Sequence, residues 1–161
     1  MSIDVVPAYL REERALARSV LYRYLSTAFR HPDPSTVSDL DALADGASAA
    51  VLSLAEMGAD LGPRLEALES ARRAAAPGDL IRDYGALFGH SAQGKCPLYE
   101  TEYGDGDEGL QQPHQLGDLS GFYAAFGLAP ARRIHERFDH VAVESEFLAF
   151  PPWSGDALGP P

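Results

Sequence analysis

The residues with the greatest capacity for chemistry lie in one short segment, residues 96–103, which reads Cys-Pro-Leu-Tyr-Glu-Thr-Glu-Tyr. It brings a thiol, a proline, two tyrosines and two carboxylates together. Aromatic and acidic side chains this dense in a loop are typical of recognition. The alternative is that the tyrosines pack the loop onto the core. An amphipathic helix over residues 80–88, ended by Gly89, is predicted to precede the loop and hold it in place.

A second group of polar residues lies near the C-terminus, where His140 and Glu144 stand four positions apart. On an ideal helix both fall in the same apolar arc as Phe147. A carboxylate on a core-facing arc is costly unless it is paired or hydrogen-bonded. We therefore expect His140 and Glu144 either to satisfy each other or a loop backbone, or to line a binding pocket. Asp139 is expected to cap this helix.

Other chemistries use the same residues. Cys96 or His90 could join His140 and Glu144 around a metal ion, but two ligands at helical spacing do not make a site. No phosphate-binding loop, nucleophile elbow or dinucleotide fingerprint is present. The main enzymatic alternative is a small metal- or thiol-dependent hydrolase using His140, Glu144 and Cys96. The acidic, glycine-rich residues 104–109 lack the spacing of a calcium loop and are interpreted as a solvated turn.

Two motifs occur in a defined order. The first is Tyr84-x-x-Leu87-Phe88 followed by Pro97-x-Tyr99-Glu100-Thr101-x-Tyr103, and the second is Asp139-His140 followed by Glu144 and Glu146-Phe147. Together they resemble the signature of the TorD/DmsD/NarJ family, whose members are cytoplasmic chaperones for molybdenum oxidoreductases. The form of residues 96–103 most resembles the branch that serves type II enzymes of the DMSO-reductase family. The resemblance runs from about Ala8 to Phe150.

The resemblance implies an all-α, single-domain bundle of the TorD-like type with about six to eight helices, no catalytic activity and no cofactor of its own. Its partners would be the apo catalytic subunit of a molybdenum oxidoreductase and the twin-arginine leader of that subunit. Such leaders are basic and then apolar, so an acidic groove with aromatic walls is the complementary surface. The residues expected to form that surface are Tyr84, Leu87, Phe88, Pro97, Tyr99, Glu100, Tyr103, Asp139, His140 and Glu144. A helical scaffold, in which both motifs only pack, remains a third possibility.

Composition narrows the class of protein. A chain of 161 residues suits one domain. The net charge of −11, from 24 acidic and 13 basic residues, disfavours binding to nucleic acid or anionic membranes. One cysteine permits no internal disulfide. Neither a secretory signal nor a long apolar run is visible, so we expect a cytoplasmic protein without stable membrane insertion.

Periodicity predicts helices throughout and no strand. Gly46 is expected to divide the second helical region, and Asp79 to cap the helix that carries the first motif. The predicted helices cover residues 8–29, 35–45, 47–57, 63–76, 80–88, 113–126 and 139–150, with a possible helical turn after residue 130.

The end of the chain departs from the family pattern. Residues 1–150 are expected to form the domain, and residues 151–161 a Pro/Gly-rich tail. Relatives usually continue with several more helices, so the domain is expected to be C-terminally incomplete. Phe138 stands where the family often has proline. Apolar side chains of the last two helices would then stay uncovered, which predicts self-association through that face or reduced stability.

Overall fold

The computed structural model describes residues 8–56, 58–89, 96–103, 108–129 and 136–150. Within these ranges the chain forms six α-helices and one short 3₁₀ turn but no strand, which confirms the all-α class. None of the described helices is long and apolar enough to span a membrane. The helices are α1 (Ala8–Ala28), α2 (Pro34–Glu56), α3 (Gly62–Ala74), α4 (Pro77–Phe88), α5 (Glu108–Ala125) and α6 (Val141–Leu148), and the 3₁₀ turn is Glu100–Tyr103.

The core lies mainly between α1 and α2, and α6 packs against another side of α1. Ala17 of α1 is buried against Ala50 and Leu54 of α2. Two turns further along, Tyr24 is buried against Ala47, which is completely shielded from solvent. Small alanine side chains at this interface let α1 and α2 approach closely. The larger apolar side chains beside them are therefore removed from water, and their burial stabilises the packing of the two helices.

The second helix is continuous through Gly46, so the predicted division into residues 35–45 and 47–57 is wrong. A glycine in a helix interior costs about 1 kcal/mol relative to alanine, but it does not prevent a helix when its neighbours pack well. Ala47 and Ala50 lie in the helical turn that follows Gly46, and both are buried against α1. The start of α2 is also well defined, because Asp33 Oδ1 accepts a hydrogen bond from the Thr36 amide at 2.8 Å.

A polar cluster attaches α3 to the first two helices. Glu69 of α3 is buried and accepts a hydrogen bond from the Tyr24 hydroxyl of α1. Arg72 forms an ion pair with Glu69 at 2.8 Å and a second one with Asp41 of α2. The buried carboxylate is therefore paired, as its removal from water requires.

Two predicted helix starts also differ. Helix α4 begins at Pro77, with Ala76 in the capping position, so Asp79 is not the cap. Asp79 instead lies in the first turn and pairs with Arg82 at 2.7 Å. Proline is favoured at the first helical position because an N–H group at that position has no partner within the helix, so its absence costs nothing. Helix α5 begins at Glu108 rather than at 113 and contains Pro113. The predicted stop at Gly89, which has a φ of 73°, is observed.

Candidate functional site

The two sequence motifs meet through their backbones. The Glu100 amide donates to the Asp139 carbonyl at 2.9 Å, and the Val141 amide donates to the Leu98 carbonyl at 2.8 Å. These bonds form an isolated antiparallel bridge centred on Tyr99 and His140. The loop after α4 is thus held directly against the start of α6.

An ion pair between Arg137 and the buried Asp139 stabilises this junction. Asp139 is completely buried and accepts hydrogen bonds from Arg137 Nη2 at 2.6 Å and from the Thr101 hydroxyl at 2.7 Å. The Arg137 guanidinium also lies over the Tyr99 ring, 4.3 Å from its centroid. Burial by itself raises the pKa of Asp139, but hydrogen bonds from Arg137 and Thr101 outweigh it and hold the pKa below its ordinary value.

The cap of α6 is His140 rather than the predicted Asp139, and the helix covers Val141–Leu148 rather than residues 139–150. His140 Nδ1 accepts a hydrogen bond from the Ala142 amide at 3.1 Å. Its Nε2 lies 3.9 Å from a carboxylate oxygen of Glu136. Asp139 cannot also serve as the cap because its carboxylate is turned towards Arg137 and Thr101.

A cavity of about 340 Å³ opens between the end of α1, the end of α4, residues 96–103 and α6. Phe29 and Phe88 form an edge-to-face pair on one side, with ring centroids 6.4 Å apart. Two carboxyl groups, those of Glu100 and Glu144, contribute the charged part of the lining. The lining residues are Phe29, Phe88, Cys96, Pro97, Leu98, Tyr99, Glu100, Tyr103, Val141 and Glu144.

Glu144 does not pair with His140, so the expected mutual satisfaction of these two residues is wrong. Both ring nitrogens of His140 face other groups, whereas Glu144 lies in the cavity lining. Oε1 of Glu144 is shielded from solvent and has no hydrogen-bond partner among the described residues. Burial, followed by the negative charge of Glu100, raises the pKa of Glu144 to about 7. The other expectation, a carboxylate in a pocket, fits this arrangement.

A second, more open cavity of about 710 Å³ adjoins the first and shares Glu100 and Tyr103 with it. Its far wall is α5, which contributes Asp118 and Phe122 among other residues. The rings of Tyr103 and Phe122 are 64% and 49% exposed, respectively, so both are available to a partner. These two neighbouring cavities, which share Glu100 and Tyr103 of the 3₁₀ turn and have acidic and aromatic lining residues, are together called the groove.

Six of the ten predicted site residues line the first cavity, and four do not. Tyr84 lies behind it, where its hydroxyl donates to the Phe29 carbonyl at 3.1 Å and its ring packs on Phe88. Leu87 is half exposed outside the cavity, although its carbonyl accepts the Cys96 amide at 3.1 Å. Asp139 supports the junction, and His140 faces a separate polar cavity beside Glu136. The six lining residues are Phe88, Pro97, Tyr99, Glu100, Tyr103 and Glu144.

Sequence reasoning missed Phe29 and Arg137. Phe29 follows α1 directly and reaches the cavity from a position remote in sequence, so no local pattern marks it. Arg137 stands two residues before Asp139, and this i, i+2 charge pair was a usable signal. Neither residue belongs to either motif.

The contacts of Cys96 and His140 bear on the enzymatic alternative. Across residues 8–56, 58–89, 96–103, 108–129 and 136–150, no three His, Cys, Asp or Glu side chains converge as metal ligands do. Cys96 lies 3.8 Å from the Tyr103 hydroxyl, and the nitrogens of His140 are directed to Ala142 and Glu136. His90 and residues 104–107 lie outside the described part of the chain, as does the turn expected after residue 130.

Comparison with known proteins assigns the family. No curated protein matches the sequence. A crystal structure of an Archaeoglobus fulgidus protein, assigned to redox enzyme maturation, matches with 20% identity and a TM-score of 0.49 over 92% of this chain and 75% of that one. The family model described as nitrate reductase delta subunit matches residues 41–152, which is more than half of the chain. The protein therefore belongs to the nitrate reductase delta subunit family, the NarJ/TorD-like chaperones.

Proposed function

We propose that this protein is a cytoplasmic chaperone for the apo catalytic subunit of a molybdenum oxidoreductase of the DMSO-reductase family. In this role it binds the twin-arginine leader of that subunit in the groove on either side of the 3₁₀ turn. It keeps the subunit open for insertion of the molybdopterin cofactor and delays export. It performs no catalytic step itself.

The observation that carries the proposal is the chemistry of the groove. A leader of this type presents cationic side chains followed by apolar ones, and the groove offers matching partners for both. Glu100 and Glu144 supply negative charge in the first cavity, and Asp118 supplies it in the second. Exposed Tyr103 and Phe122 supply aromatic surface that the apolar side chains of a leader would bury favourably. The net charge of −11 favours encounter with a basic segment.

The test is calorimetry with a synthetic peptide that carries two consecutive arginines followed by an apolar stretch. We expect saturable binding that weakens as salt rises, since exposed charges are screened beyond roughly 8 Å at physiological ionic strength. Tyr103→Ala should weaken binding about tenfold or more, because a well-placed aromatic anchor contributes on the order of 2 kcal/mol.

The matched control is Tyr9→Ala, which removes an equally exposed tyrosine of α1 that lines neither cavity. It should bind the peptide like the unaltered protein. Tight binding whose affinity does not change with salt would contradict the electrostatic part of the proposal. Absence of binding would remove the leader assignment.

A further inference from the structure

We infer that the first cavity binds one alkylguanidinium side chain, whose cationic end lies between the carboxyl groups of Glu100 and Glu144, and that this binding releases a proton from Glu144. This binding site is called the seat. This inference rests on the proposed function, because it names the chemical group of the bound segment that the cavity recognises. It adds that recognition is linked to pH.

The geometry favours a guanidinium over other groups. The cavity lining combines an aromatic pair, Phe29 and Phe88, with the neighbouring carboxyl groups of Glu100 and Glu144. A planar guanidinium can stack on aromatic faces while its N–H groups donate to carboxylates. The same stacking already occurs within the protein, where the Arg137 guanidinium lies over Tyr99.

An unmet hydrogen bond marks the position of the missing donor. Buried carboxylate oxygens are almost always hydrogen-bonded. The Glu144 carboxyl group lies beside that of Glu100, which is itself an acid, and Glu144 Oε1 has no hydrogen-bond partner among the described residues. The cation that exists nearby, Arg137, is committed to Asp139 and Glu102 instead. A cationic donor that enters the cavity would satisfy the Glu144 carboxylate and offset its repulsion by Glu100.

Proton release follows from the charges that face Glu144. Burial and the neighbouring acids favour the protonated carboxyl group, with a pKa of about 7. A bound cation favours the ionised form, so the proton leaves to solvent as the cation enters. The titratable groups around Glu144 are Glu100, Cys96, Tyr99 and Tyr103 in the loop, Tyr123 on α5, and Asp139 before α6.

The direct test is a nuclear magnetic resonance titration of the Glu144 side-chain carboxyl carbon, identified by its disappearance in Glu144→Gln. The pKa of Glu144 is measured alone, with N-acetylarginine amide, and with N-acetylcitrulline amide, which is a neutral analogue of nearly the same shape. We expect only the arginine probe to lower the pKa. An unchanged pKa, or an equal change with both probes, overturns the inference.

Peptide affinity provides a second measurement. Because the cation binds the ionised carboxylate, affinity for the two-arginine peptide should be about tenfold weaker at pH 6 than at pH 8. Glu144→Gln should abolish that pH dependence, and Glu66→Gln, which removes an exposed charge on α3, should retain it. A peptide that binds with the same affinity at both pH values overturns the seat but leaves the proposed function standing. If no peptide binds while N-acetylarginine amide lowers the pKa, the leader assignment fails and the seat remains.

Discussion

Glu144 is a carboxyl group in an unfavourable environment, and its raised pKa predicts how stability changes with pH. The native pKa of about 7 lies above the ordinary value of 4.5. Between these values the folded protein keeps a proton that the unfolded chain has released, so Glu144 lowers the stability as pH rises through this window. Above pH 7 the carboxyl group is ionised in both states, and the folded state carries the cost of a partly buried carboxylate beside Glu100.

Glu144→Gln should therefore stabilise the protein at pH 8.5, by about 1–2 kcal/mol after solvent screening is allowed for, and less at pH 5. Thermal melts of both proteins at the two pH values measure this, and Glu66→Gln on the exposed side of α3 is the control. A loss of stability at pH 8.5, as a paired and structural Glu144 would give, would contradict the structure.

Asp139 has the opposite character, because its carboxylate is paired with Arg137 and hydrogen-bonded to Thr101. Replacing it by alanine leaves Arg137 and the Thr101 hydroxyl without their buried acceptor. We expect Asp139→Ala to lower the free energy of unfolding by roughly 3 kcal/mol, whereas Asp45→Ala on the exposed side of α2 should have little effect. Chemical denaturation compares the two. A variant as stable as the control would show that the ion pair does not hold the junction.

At the scale of elements, α2 offers a test of helix continuity. A β-carbon added at Gly46 would lie 3.6 Å from Val20 Cγ1, which is an ordinary contact distance. Gly46→Ala should stabilise the protein by about 0.5–1 kcal/mol, since alanine loses less backbone entropy in a helix. Gly58→Ala is the matched comparison and should destabilise it by about 1–2 kcal/mol, because Gly58 has a φ of 90°. A destabilising Gly46→Ala in thermal melts would indicate a break in α2.

At the scale of the whole molecule, α5 and α6 leave an apolar face in contact with solvent. Phe122 of α5 and Phe126, which directly follows that helix, pack on Phe147 of α6, with ring centroids 5.5 and 5.4 Å from that of Phe147. Phe122 and Phe126 nevertheless remain 49% and 40% exposed, and Leu148 and Phe150 are about half exposed. Exposed apolar surface of this kind favours association, while the net charge of −11 opposes it.

We therefore expect self-association that grows with protein concentration and with salt, because salt screens the repulsion between copies. Light scattering across a dilution series at two salt concentrations measures it. Phe122→Ser should reduce the association, and Leu52→Ser, a change at an even more exposed apolar residue on α2, should not. A monodisperse monomer under every condition would contradict the expectation.

Local sequence determined most of the helices and located the site. Apolar periodicity predicted α1 to within one residue of its observed bounds, and Gly89 marked the end of α4. The first motif supplied five of the cavity residues, Phe88, Pro97, Tyr99, Glu100 and Tyr103. These features depend on neighbours along the chain, where spacing and conformational preference are informative.

Only the tertiary structure decided which partners the polar residues have. Thr101 and Asp139 are 38 positions apart, and their hydrogen bond fixes the orientation of Asp139, which leaves His140 to cap α6. Glu144 consequently faces Glu100 and the cavity rather than His140. A helical wheel assigns a residue to a face but not to a partner, because the partner comes from a distant segment. Packing likewise keeps α2 continuous at Gly46, because the burial of neighbouring α2 side chains against α1 outweighs the low helix propensity of one glycine.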